Sequence, residues 1–132
     1  MNGMNTKKVL VILTHALVGW ALCGAIIGVG FAIWSVETTL IVHLIGAPVV
    51  FALLSWLYFG KFNYTAPLQT AIIFLAVVIL ADFIIVALLI ERSFDMFGSL
   101  IGTWIPWAFL FLSTWLTGRY ITEKQTETRA VA

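Results

Sequence analysis

LQTAIIFLAVVILADFIIVALLI, residues 68–90, is the stretch that decides the fold. Apart from Gln69, Thr70 and Asp82 it is a run of aliphatic and aromatic side chains. A helix rises 1.5 Å per residue, so about 20 such residues cross ~30 Å of hydrocarbon, and this run is long enough. Three other stretches meet the same length: Val9 to Trp34, Thr39 to Phe59 and Phe97 to Leu116. In lipid every backbone N–H and C=O must be paired within the segment, which a helix achieves and an isolated strand does not, so the abundance of Val and Ile is no argument for a sheet. The expected fold is an all-α four-helix transmembrane bundle.

Composition agrees. Of 132 residues 62% are hydrophobic and 10% charged, and the mean hydropathy is +1.08. Disorder is excluded, and too few polar side chains remain to cover a water-soluble globule. The links Ser35–Thr38, Gly60–Pro67 and Glu91–Met96 are short, which makes consecutive helices antiparallel neighbours and predicts up-down-up-down order. The expected domain organisation is a four-helix unit over residues 1–121 followed by a polar tail, 122–132, that frays into water. Lys7 and Lys8 precede an apolar run too long for a cleaved secretory signal, so the first helix reads as retained.

Charge position sets the expected orientation. Lys7, Lys8, Lys61, Arg119, Lys124 and Arg129 fall at one end of the bundle and Arg92 alone at the other, which predicts both termini in the cytoplasm of a bacterial-type plasma membrane. Glu37, Glu91 and Asp95 gather at the opposite end. The net charge of +1 with no clustered basic face argues against nucleic acid as a partner. The expected partners are the lipid bilayer and, because four helices enclose little lumen, further copies of the chain or another membrane subunit. Trp34, Trp56, Tyr58, Tyr64, Trp115 and Tyr120 lie near helix ends and read as interfacial anchors. Gly24 and Gly28, one turn apart with Ala32 beyond, read as a ridge for close helix packing, either within the bundle or at a seam between two copies. A match between residues 48–60 and 106–118, aligned on Pro48 and Pro106, is of the size that biased composition produces by chance.

Asp82 carries the most information about function. A carboxyl inside a transmembrane helix costs about 2.5–3.5 kcal/mol on insertion scales and persists where it has a partner or a task. It lies ~12 Å below the acidic end of its helix, His43 ~6 Å and Thr103 ~9 Å below the same surface, with the Trp104 indole beside Thr103. Pro48 and Pro106 follow His43 and Thr103, and each frees a carbonyl one turn earlier, on Leu44 and Gly102. One reading is a small cavity holding a proton, a cation or a small polar solute, with Asp82 and His43 as the coupling pair, Thr103 and Trp104 in support and the kinks at Pro48 and Pro106 opening the space. The other is interhelical glue in a structural or accessory subunit.

His15 lies ~9 Å from the basic end, where it reads as hydrogen-bonded to a neighbouring helix or reaching toward the interface, too far in depth from His43 for one haem to use both. His43 and Asp82 supply at most two ligands of a zinc site, and Cys23, the single cysteine, cannot form an internal disulfide. No cofactor or metal is therefore expected. The phosphate loop, dinucleotide fingerprint, nucleophile elbow and HExxH motif are all missing from the sequence, so no enzymatic activity is expected either.

Overall fold

The computed structural model describes residues 5–131 as four long helices with no strand among them. Helix α1 spans Thr6–Ile33 and α2 spans Val36–Lys61. Helix α3 covers Pro67–Ala81 and continues unbroken into a π-wound stretch, Asp82–Ile90. A single 3₁₀ turn, Asp95–Gly98, and a π turn, Leu100–Trp104, lead into α4, Ile105–Val131. All four are long and apolar enough to cross a membrane.

Local chemistry sets the ends. The Asn5 side chain accepts from the Lys8 N–H at 2.9 Å, Ser35 from the Thr38 N–H at 3.1 Å and Ser99 from the Gly102 N–H at 2.9 Å, so each caps donors that have no intrahelical partner. Pro67 opens α3, where its missing N–H costs nothing. After α2 the chain turns through Asn63 at φ 52°, its N–H bonded to the Tyr58 carbonyl, and Asn tolerates this left-handed position better than most residues. Asn63→Val is expected to lower stability by about 1–2 kcal/mol and Asn63→Gly by much less, as read from thermal unfolding in detergent.

Packing inverts the soluble pattern. Large apolar side chains such as Leu10, Ile45, Leu57, Leu80 and Leu89 face outward, while Ala16, Ala47, Ala71, Thr39, Ser55, Thr70 and Thr114 are buried between helices. That distribution suits a chain whose solvent is hydrocarbon, where small residues let backbones approach and outward leucines lose nothing. Helix α1 packs on α2 and α3, and α4 on the same two helices from the other side. The core they enclose is aromatic: Phe51, Tyr58, Phe59 and Phe74 are fully buried, with Ile12 and Leu110 against them.

Several expectations need correction. The Gly24/Gly28 ridge receives no helix of its own chain, since a Cβ on either would meet nothing within 4 Å. Close approach falls instead to Gly19 against Phe51 and Leu54, Gly30 against Thr39, and Gly118 against Phe59 and Pro67. Tyr58 is not an interfacial anchor but a core residue, because its hydroxyl finds Thr65 at 2.8 Å and so need not reach water. His15 bonds within its own helix, to the Val11 carbonyl at 2.8 Å, and packs edge-on against Tyr58 and Phe62. The residues expected to fray, from Thr122 on, are helical to Val131. Gln125 donates to the Phe59 carbonyl and accepts from Asn63, both at 3.2 Å, and Arg119 pairs with Glu123 at 3.4 Å, so the tail is tied to the end of α2.

Candidate functional site

A cavity of about 360 Å³ lies between the helices at the end that carries Glu91 and Asp95. Asp82, His43 and Thr103 all line it, from α3, α2 and the approach to α4 respectively. Asp82 stands where the α-helical ladder of α3 gives way to π winding, and its N–H reaches both the Ile79 and Val78 carbonyls. Stretches of π helix are rare and recur at functional sites.

The partners of the carboxyl are not those expected. Trp20 on α1 donates its indole N–H to one oxygen of Asp82 at 2.8 Å, and Trp107 on α4 donates to the other at 3.0 Å. Thr103 is engaged elsewhere, its hydroxyl donating to the Met96 carbonyl at 2.6 Å. His43 shares the cavity with Asp82 but has no hydrogen bond to it, and its Nδ1 is buried without a partner. The expected triad of polar groups is thus one cavity wall but not one network. The carboxyl is held by α1 and α4, and the imidazole on α2 lines the same cavity with hydrogen-bonding capacity to spare.

Trp104 does not line the cavity but packs edge-on against Trp107, ring centres 5.1 Å apart. Its ring is half exposed on the outer face, and its N–H caps the Phe97 carbonyl at 2.7 Å. Pro106 lines the cavity and sits where π winding hands over to α4, a place where a missing N–H is cheap. Pro48 does not break α2, and its own carbonyl accepts from the Ser113 hydroxyl at 2.6 Å, joining α2 to α4. Gly24 borders the cavity, where the lack of a side chain leaves room.

The chain matches no family model, and no curated protein and no solved structure is significantly similar to it. What the site does must be read from its own groups.

Its electrostatics are one-sided. Three carboxyl side chains, Asp82 deep within and Glu91 and Asp95 toward the mouth, line the cavity together with the Cys23 thiol, and no lysine or arginine does so. Phe31, Phe51 and the two tryptophans form aromatic walls. Carboxyls among aromatic faces favour a cation and disfavour an anion. No group of three or more His, Cys, Asp or Glu side chains capable of holding a metal occurs among the described residues.

The missed residues, Trp20 and Trp107, did leave a signal. At 1.5 Å per residue Trp20 lies ~17 Å from the nearer end of its apolar run and Trp107 ~14 Å, too deep to be headgroup anchors, and an indole N–H at that depth needs an acceptor. Asp82 is the acceptor both reach.

Proposed function

We propose that this small polytopic membrane protein is a transporter or channel-like protein for a proton or small cationic solute, using Asp82 and His43 as the groups the solute engages. The supporting observation is that two polar side chains from separate helices face one cavity, the carboxyl fixed by Trp20 and Trp107 and the imidazole unpartnered. Intramembrane ionisable residues facing a cavity commonly mark substrate or proton pathways. The excess of Lys and Arg at the far end supports an orientation in which the cavity opens on the outside of a bacterial-type plasma membrane and both termini lie in the cytoplasm. In this reading Glu91 and Asp95 concentrate cations at the mouth, Asp82 provides the counter-charge and His43 the second contact.

The test is flux into proteoliposomes under an imposed pH gradient. The parent chain gives a pH-dependent flux, and Asp82→Asn, which keeps the side-chain shape, abolishes it while eluting and unfolding as a folded protein. Unchanged flux in Asp82→Asn would overturn the proposal. His43→Gln is expected to reduce the flux or shift its pH dependence, because Gln preserves a hydrogen-bonding tip but cannot titrate.

A second reading has its own support. One carboxyl joined to two indoles ties α1, α3 and α4 together, which is what a purely structural or accessory subunit needs. Recovery of a stoichiometric partner, with no intrinsic flux from the purified chain, would favour it.

A further inference from the structure

A second concavity, about 960 Å³, runs between α2 and α4 at the opposite end of the bundle from Asp82. Its chemistry changes along its length. Leu53 and Leu116 form its deeper, apolar part, Trp56 and Tyr120 stand above them, and Lys124 and Arg129 close the top. All six are exposed, so the groove is open to whatever surrounds the helices.

The depth of each layer follows from helix arithmetic. The α4 rod, counted from Leu100, has 32 residues, about 48 Å, against ~30 Å of hydrocarbon, so its last turns overrun the core into the headgroup layer. Gln125 fixes the level, because it bonds to Phe59 and Asn63 at the end of α2. Lys124 therefore stands at the boundary of hydrocarbon and headgroups, and Trp56 and Tyr120 lie just inside it, where amphipathic rings settle. Lys124 Nζ rests 5.6 Å from the centre of the Tyr120 ring. Neither Lys124 nor Arg129 pairs with a carboxylate among the described residues; Glu123 is taken by Arg119, and neither Glu123 nor Glu127 lines the groove.

We infer that this groove binds an anionic phospholipid of the leaflet at the basic end, an acyl chain lying along Leu53 and Leu116 and the phosphate engaged by Lys124 and Arg129. A free phosphate would use only the top of the groove, whereas a phospholipid matches the apolar, aromatic and basic layers in that order. Basic pockets between helices at this level recognise acidic headgroups, each Lys or Arg strengthening the attraction. The inference does not depend on any role for the cavity at Asp82.

The experiment compares phosphatidylglycerol with phosphatidylcholine added to the full chain in a neutral detergent, counting retained lipid by native mass spectrometry and following the thermal unfolding midpoint. Phosphatidylglycerol is expected to remain bound and to raise the midpoint, and phosphatidylcholine to do neither. Lys124→Gln with Arg129→Gln should weaken the apparent affinity roughly 25-fold, whereas Lys7→Gln with Lys8→Gln, the same loss of charge elsewhere, should leave it unchanged. Equal retention of the two lipids by the parent chain would overturn the inference whatever the variants do. So would full affinity in Lys124→Gln/Arg129→Gln, or an equal midpoint shift from inorganic phosphate alone. A lipid-insensitive disulfide between two copies carrying Leu53→Cys would assign the groove to a second chain and overturn it as well.

Discussion

A variant carrying both Trp20→Phe and Trp107→Phe unfolds in detergent well below the parent chain. Phenylalanine preserves most of the ring but removes the N–H, so the Asp82 carboxyl loses both donors while staying between the same helices. A buried acceptor left unpaired costs about 1–3 kcal/mol. Interhelical hydrogen bonds in membranes average only about 0.6 kcal/mol, because an unfolded helix in lipid finds other partners. The upper range applies here, since both oxygens of one carboxyl are stripped together and no lysine or arginine lines the cavity to replace the indoles. The expected cost is roughly 2–4 kcal/mol for the double variant, each single change costing less than half of it. The check is a double-mutant cycle against Asp82→Leu. In that background the carboxyl is absent and the two tryptophan changes should cost almost nothing. If they cost as much as before, the loss comes from ring packing and the hydrogen bonds are not the cause.

A large steric effect is expected at Gly118. A Cβ there would stand 2.6 Å from Phe59 Cε2 and 3.0 Å from Pro67 Cβ. Phe59 is fully buried and the Pro67 ring is rigid, so neither can yield. Gly118→Leu must push α4 away from α2 and α3, and overpacking of this kind costs about 1–3 kcal/mol or more. Gly28→Leu adds the same side chain where nothing lies within 4 Å and should leave the unfolding midpoint of the isolated chain unchanged. The pair separates packing within the chain from association between chains. If Gly28 forms a seam between copies, Gly28→Leu will lower the dimer fraction by crosslinking and sedimentation without lowering the midpoint. A large fall in midpoint for Gly28→Leu, or none for Gly118→Leu, would contradict the helix arrangement described above.

These two glycines also show where the sequence is legible and where it is not. Four apolar runs of sufficient length dictate four helices, because in hydrocarbon the backbone has no other way to pair its polar groups. The small-residue spacing at Gly24 and Gly28 is equally plain, yet spacing does not say which face of α1 meets a neighbour, and the contacts fall to Gly19 and Gly30 instead. Helix-depth arithmetic brought Asp82, His43 and Thr103 to one level, and they do share a cavity. It gave no azimuth, so it could not choose the two indoles over the imidazole as partners of the carboxyl. The π winding from Asp82 to Ile90 has no signature in a run of Phe, Ile, Val, Ala and Leu that would equally suit an α-helix. The helical tail escaped because the groups that tie it down, Asn63 and the Phe59 carbonyl, lie some sixty positions away in the chain.

The paired indoles give the protein an optical reporter of its own. Two of its six tryptophans end on a single acidic group, with the Trp104 ring packed edge-on against Trp107 at 5.1 Å, while Trp34 and Trp56 look outward, away from it. Any guest that draws that acid away from Trp20 or Trp107 alters the surroundings of both chromophores together, so occupancy can be followed from intrinsic emission without attaching a dye.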